Sequence, residues 1–304
     1  MSRELIELSN ALAQATDRAA GSTVAVHTEA RGSSSGVVWR NGVIVTADHA
    51  LRRDEEIYLT LSNGRVVAAA LTGRDPSTDV AVLKCPEATT AVAEFGDVDS
   101  LKPGSLVLVV GRTRASGPVA AFGVVSLVAT TRRSWLGAPL SPYIRLDVGL
   151  QPTAAGGAVT DAGGRVVGIA TARFARFGAI AIPRSSLDTV VETLLQKGRI
   201  PRAYLGIGLQ SVRLPDALRQ SLGRDEKTAA IVLEVEPGGP ANKAGITIGD
   251  ILVSLAGHPV TQLEDVQSEL HGYAIGKTLA AKFVRGGAIQ EIAIVVGERP
   301  HGGE

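Results

Sequence analysis

Apolar positions along this chain change their spacing more than once, and each change marks a different kind of element. Residues 1–20, "MSRELIELSNALAQATDRAA", put Leu5, Leu8 and Leu12 at helical spacing among scattered charges, which predicts a short amphipathic helix. From about Ser22 to Ile182 the pattern becomes short β-branched runs, such as "STVAVHT", "GVIVTA", "VAVLK", "SLVLVV" and "RVVGIATA". Gly, Pro, Asn and Asp separate about twelve such runs, and that density predicts β-barrels or a sandwich. "SNGRV" and "DAGGRV" read as hairpin turns, because Asn-Gly and Gly-Gly tolerate positive φ. The period then returns to that of a helix in "RSSLDTVVETLLQKGRIP". Leu187, Val190, Val191, Leu194 and Leu195 form its stripe, Ser185 or Ser186 is the expected N-cap, and Gly198 and Pro201 end it. From Tyr204 to Gly297 strands mix with two helical pieces, one around "PANKAG" and one over "LEDVQSELHGYA", where Val266 and Leu270 share a face.

Composition narrows the class without changing these elements. The 304 residues are 45% apolar and 20% charged, enough for about two domains with ordinary cores. The 31 basic and 30 acidic residues leave a net charge of +1, so no electrostatic case exists for nucleic acid or an anionic membrane. The single cysteine, Cys85, follows an apolar run and reads as a buried structural thiol. No run approaches the length of a membrane span. The first residues lack the apolar core of a secretion signal, so the expected compartment is cytoplasmic as written, and periplasmic where a leader has been removed. The five histidines are dispersed, the spacing suggests no metal site, and no cofactor motif appears.

Two polar residues abut apolar strands in a suggestive order. His49 ends "GVIVTADH", and Asp79 lies in "DPSTDVAVLK". Alone, each reads as a residue satisfying local backbone. Followed by the Gly-rich "QPTAAGGAVTDAGG", they match the chain order of base, orienting acid and nucleophile loop in chymotrypsin-type proteases.

The chain resembles the HtrA (Deg) family of trypsin-like serine proteases with a C-terminal PDZ domain. The resemblance runs from about residue 20 to 298. "TADHA" is similar to the family's TxxHV, "DPSTDVAVLK" to DPxTDLAVLK, "GVVS" to GIVS, and "QPTAAGGAV" to NPGNSGGPLV. It implies a mainly β fold, a chymotrypsin-like double β-barrel followed by an α+β PDZ domain. The implied segments are an N-terminal helical piece at 1–20, a protease domain at 21–199, a PDZ domain at 200–298 and a tail at 299–304. His49 would be the general base, Asp79 its orienting acid, Ala155 the nucleophile position, and the amides of Thr153 and Ala155 the oxyanion hole. The sequence departs from the family in that loop. Alanine replaces the serine at 155, threonine the glycine at 153, alanine the residue before the nucleophile at 154, and alanine the proline at 158. Those four departures favour natural loss of hydrolysis, and the intact His49 and Asp79 keep a single serine replacement open. The residue six before the nucleophile position, where basic-specific enzymes carry an acid, is Gly149, with Asp147 two residues earlier, so small apolar side chains would suit the cleft.

"YLGIGL" and "EPGGPANKAGITIGDILVSLAG" resemble the two diagnostic stretches of an HtrA-type PDZ domain. The resemblance implies a peptide added beside a strand at 205–209 and a helix at about 263–270. Backbone amides of Tyr204, Leu205, Gly206 and Ile207 would hold a C-terminal carboxylate. Leu205, Ile207, Val266 and Leu270 are groove candidates, with domain core as the competing reading. Two functions follow: a pseudoprotease that binds unfolded or C-terminal peptides, or an active endopeptidase of protein quality control whose serine has become Ala155. A third, weaker one is a scaffold that tethers partners through the PDZ domain. A homotrimer is implied by the resemblance alone.

Overall fold

A computed structural model describes residues 3–28, 33–51, 56–88, 91–130, 132–133, 139–175, 178–272 and 275–299. The side chains of Arg132, Arg133 and His271, and the whole of His301, lie outside the described set. The chain divides into two compact units, Met1–Ile200 and Pro201–Glu304.

The first unit opens with α1 (Arg3–Ala20) and then forms two closed six-stranded barrels. The first contains β1 (Thr23–His27), β2 (Ser34–Arg40), β3 (Val43–Ala47), β4 (Ile57–Thr60), β5 (Val66–Asp75) and β6 (Val80–Lys84). Its strands run round the ring as β1-β2-β3-β6-β5-β4. After β7 (Leu106–Thr113) and β8 (Gly117–Ala129), a two-residue pairing joins β9 (Arg132–Arg133) to β10 (Pro139–Leu140). β11 (Tyr143–Asp147), β12 (Ala158–Asp161), β13 (Val166–Thr171) and β14 (Ala179–Pro183) complete the second barrel. Its ring, β7-β8-β11-β14-β13-β12, repeats the order of the first. The mainly β expectation and its double barrel are therefore what the chain forms. Closing each sheet on itself leaves no unpaired edge, which suits short β-branched runs with tight Gly turns.

α2 (Arg184–Lys197) seals the two barrels together. Leu187, Val191 and Leu194 are buried in one cluster with Val37, Val45 and Val82 of the first barrel and Ala158, Ile169 and Ile182 of the second. Trp39 reaches across and donates its indole N–H to Asp188 at 2.9 Å. The helix starts earlier than expected. Pro183 is the N-cap and makes no side-chain cap bond, so neither Ser185 nor Ser186 fills that role. A proline fixes the entry angle without a hydroxyl cap, and the burial of Leu187 at the first turn sets the start. At the other end Gly198 adopts φ 71°, the left-handed stop expected of it.

α1 meets the second barrel through Ala15, Ala19 and Ala20, which pack on Leu108 and Val110 of β7. Small side chains allow this close approach. Leu5 and Leu8 of the expected stripe stay exposed, and Leu12 is half-buried. Arg112 of β7 fastens the join, donating from Nε to the Thr23 carbonyl at 2.7 Å and from Nη2 to the Ala20 carbonyl at 2.9 Å.

The second unit pairs β15 (Ala203–Tyr204) with a strand near its end. It continues through β16 (Ile207–Arg213), α3 (Asp216–Ser221), β17 (Thr228–Val235), α4 (Pro240–Lys243), β18 (Ile251–Leu255) and β19 (His258–Pro259). α5 (Leu263–Gly272), β20 (Thr278–Arg285), β21 (Ala288–Val295) and β22 (Gly297–Glu298), the partner of β15, finish it. Phe283, Leu252, Leu279 and Ile294 are among the fully buried members of its core. The strand expected at 205–209 begins only at Ile207, because Gly206 takes φ 75° and breaks the extended run. Among the described residues no helix is long and apolar enough to cross a membrane.

Candidate functional site

His49 sits on a short 3₁₀ turn, residues 48–50, that leaves the end of β3. Asp79 immediately precedes β6, the neighbour of β3 in the ring. The pairing of those strands therefore places the two side chains together. His49 Nδ1 lies 2.7 Å from Asp79 Oδ2 and 2.9 Å from Oδ1. The His49 backbone N–H also donates to Oδ1 at 2.9 Å, and Thr171 Oγ1 donates to Oδ2 at 2.5 Å. Asp79 is fully buried and takes φ 59°, a backbone state that aspartate tolerates better than most residues. Its hydrogen bond favours the protonated His49 imidazole, so the pKa lies above the usual histidine value in spite of burial and of Arg173. With Nδ1 bound to Asp79, the Nε2 edge is left to the cleft.

A second carboxylate stands next to the first. Asp48 is buried, and Arg74 of β5 binds it through Nε while reaching the carbonyls of Asp48 and Leu51. Burial pushes the Asp48 carboxyl above its ordinary value, against the pull of Arg74. This pair ties the turn that carries His49 to β5. It depends on a contact between distant strands, and nothing in the local sequence signals it.

The loop before β12 approaches from the other barrel. Residues 152–154 form a 3₁₀ turn, in which the Ala154 N–H donates to Gln151 at 2.9 Å and the Ala155 N–H to Pro152 at 3.2 Å. Ala155 is 4% exposed. Its carbonyl accepts from the Ser35 N–H at 2.9 Å, and Ser35 Oγ donates to the Thr153 carbonyl at 2.6 Å. Gly156, at φ 76°, lies so close to β3 that a Cβ would stand 2.5 Å from the Ala47 nitrogen. That contact seats Ala155 against the strand end bearing His49, and only glycine permits it. The amide of Ala155, expected in an oxyanion hole, is thus turned inward onto Pro152. Thr153 Oγ1 is buried with no hydrogen-bond partner. Asp147 and Gly149 lie exposed on the approach to this loop. Cys85 is buried in the first barrel and its thiol is pushed up by that burial.

In the second unit Tyr204, Leu205, Gly206 and Ile207 form a tight bend. The Leu205 carbonyl accepts from Ala241 at 2.9 Å and the Gly206 carbonyl from Glu236 at 2.9 Å, while the amides of Leu205 and Gly206 have no backbone acceptor among the described residues. Tyr204 Oη is buried and unpartnered against Gly206. Leu205 and Val266 belong to the core of the unit, at 3% and 6% exposure. Ile207 and Leu270 are only partly buried and border that core, on β16 and α5. Of the four apolar groove candidates, those two keep partly exposed side chains.

A family model described as a trypsin-like peptidase domain matches residues 34–169, and one described as a PDZ domain matches residues 203–296. A probable periplasmic serine endoprotease DegP-like of Marinomonas sp. (strain MWYL1) is 31% identical over 270 residues. The match takes in 87% of this chain and 56% of that protein, so the chain spans little more than half the length of the curated relative. The serine endoprotease from Yersinia pestis superposes with a TM-score of 0.76 at 27% identity, over 95% of this chain and 98% of that one. The HtrA-type protease AlgW, solved with a tripeptide, superposes with a TM-score of 0.74 at 27% identity, over 96% and 98%.

Proposed function

The chain belongs to the HtrA/Deg family of trypsin-like serine proteases with a PDZ domain, and on that premise we propose that it is a pseudoprotease, binding unfolded or C-terminal peptides through its cleft and PDZ groove without cleaving them. The observation that carries this reading is Ala155. A methyl group has no lone pair to attack a carbonyl and no proton to pass to His49. Its loop supports the reading further. The Ala155 amide is bound to Pro152, and Thr153 stands where the turn would need glycine to aim its own amide at an oxyanion.

The test is Ala155→Ser in the full chain, assayed on casein. We expect no robust cleavage, because the single change restores an oxygen and leaves the inward-turned loop. Robust cleavage would sink the pseudoprotease reading. It would favour the second one, an active endopeptidase of protein quality control whose serine became alanine, which the intact His49–Asp79–Thr171 bonding supports.

We assign residues 21–199 to the protease-like domain and 200–298 to the PDZ domain, with 1–20 as an appended helix. In the PDZ groove the amides of Leu205 and Gly206 would hold a terminal carboxylate while Ile207 and Leu270 receive its last side chain. Peptide complexes of HtrA relatives support that role. The periplasmic naming of curated relatives supports the periplasm as the compartment. The trimer remains a proposal from family resemblance, and sedimentation velocity tests it.

A further inference from the structure

We propose that Arg74 is a positioning residue for the cleft: its guanidinium clamps both ends of the turn that carries His49 and so fixes where the imidazole stands. This goes beyond the peptide-binding reading and does not depend on whether the chain cleaves what it binds.

The turn has little of its own to hold it. One backbone bond closes it, from the Leu51 N–H to the Asp48 carbonyl at 3.0 Å. A single 3₁₀ turn has poorer hydrogen-bond geometry than an α-helix and no further turn to propagate into. Asp79 holds one side. Its carbonyl accepts the Asp48 N–H at 3.2 Å and its carboxylate accepts the His49 N–H at 2.9 Å. Both contacts use N–H groups of the turn. Arg74 takes the carbonyls instead. Its Nη2 donates to the Asp48 carbonyl at 3.2 Å and to the Leu51 carbonyl at 3.3 Å, while Nε binds the Asp48 carboxylate. One planar guanidinium thereby grips residues that precede and follow His49, a geometry that the point charge of a lysine does not reproduce.

Arg74 is itself well anchored. It lies in β5 opposite Ala81 of β6, and its backbone N–H donates to the Gly198 carbonyl, just past the end of α2, at 3.3 Å. Gly73 beside it lies so close to Gly198 that a Cβ would stand 2.6 Å from that same carbonyl oxygen. The clamp is therefore fixed to β5 at the point where the sealing helix ends. The Asp48 carboxylate is buried, and Arg74 is the cation that pairs with it. A buried carboxylate is costly without such a partner, which makes the clamp hard to release. A plain strut between the turn and β5 would need that ion pair alone. The two carbonyl bonds add control over the path of the backbone through His49.

The experiment reads His49 directly. The Nδ1 proton of the protonated ring, held by Asp79, gives a low-field NMR signal, and its exchange with water reports how often that bond opens. The full-length protein is compared with Arg74→Gln, Arg74→Lys and the double variant Asp48→Asn/Arg74→Gln, and global stability is read by urea unfolding. We expect Arg74→Gln to speed the exchange about ten-fold beyond what its loss of global stability accounts for, the worth of one charge-assisted hydrogen bond. Arg74→Lys should fall between that variant and the parent. The double variant removes the unpaired buried carboxylate that Arg74→Gln leaves behind, so most of the global stability should return. Exchange at His49 should stay fast in it, because both carbonyl bonds are still missing. If Arg74→Gln does not fold, the double variant carries the test by itself. Exchange at the parent rate in the double variant overturns the proposal and leaves the ion pair as a strut of the barrel. Exchange at the parent rate in a folded but destabilised Arg74→Gln overturns it as well. The readout needs no ligand, so it is independent of the peptide-binding reading.

Discussion

At the scale of single residues, the histidine at the cleft is the group whose chemistry is most exposed to measurement. Asp79 raises the folded-state pKa of His49 above its unfolded value. A group of that kind stabilises the fold fully below its unfolded pKa, here about 6.5, and the contribution is lost as pH rises through the folded value. The stability gap between the protein and its His49→Asn variant, measured by urea unfolding, should therefore shrink as pH rises through that window. A gap that widens with pH would show that the His49–Asp79 bond does not hold the proton. Asp79→Asn should lower the His49 pKa, read directly by NMR. Both residues were legible in the chain, because a His after one strand and an Asp before another came in the order their chemistry requires. Thr171 and Arg74 were not. Each reaches the site across a strand pairing or a turn between distant segments, and local pattern carries no trace of such contacts.

Elements tell a similar story about what pattern can and cannot show. The stripe of α2 predicted its buried face, and Leu187, Val191 and Leu194 are the residues that seal the barrels. Leu187→Ala should cost about 2–5 kcal/mol in chemical denaturation, the usual range for a leucine cavity in a core. Gly198→Ala should cost about 1 kcal/mol, since the left-handed stop strains any side chain. The start of the helix was misread because Ser185 and Ser186 are good caps in principle, whereas Pro183 is the residue at the bend. Ser185→Ala should accordingly change stability by less than about 0.5 kcal/mol; a loss near 1 kcal/mol would mean that a hydroxyl caps the helix after all. α1 shows the converse case. Its leucines drew attention by their spacing, yet its alanines make the contact, because closeness between helix and sheet rewards small side chains over apolar bulk.

Across the whole molecule, one ion-paired group in each unit contributes to stability with the opposite dependence on pH. In the second unit Arg285 binds Asp250 at 2.6 and 2.7 Å and holds its carboxyl below the ordinary value, 3.8. A depressed carboxyl contributes stability above its unfolded pKa and loses it as pH falls through the folded one. The stability difference between the protein and Arg285→Ala should thus be full above about pH 4 and fade in stronger acid. The His49 contribution runs the other way and fades on the alkaline side. The overall architecture was readable from the chain because turn residues and strand runs alternate so regularly. The ring order of the barrels was not, since it is set by which runs pair. That order has its own consequence. The His49 turn leaves the third strand of one ring, and the Ala155 loop leaves the third strand of the other. The cleft is therefore a meeting of two equivalent corners of a module used twice, in the manner of a dimer written into one polypeptide. Such a design lets inheritance act on each corner separately: one copy can shed its chemistry by drift while the other, folded around its own strands, keeps the groups that a new ligand can use.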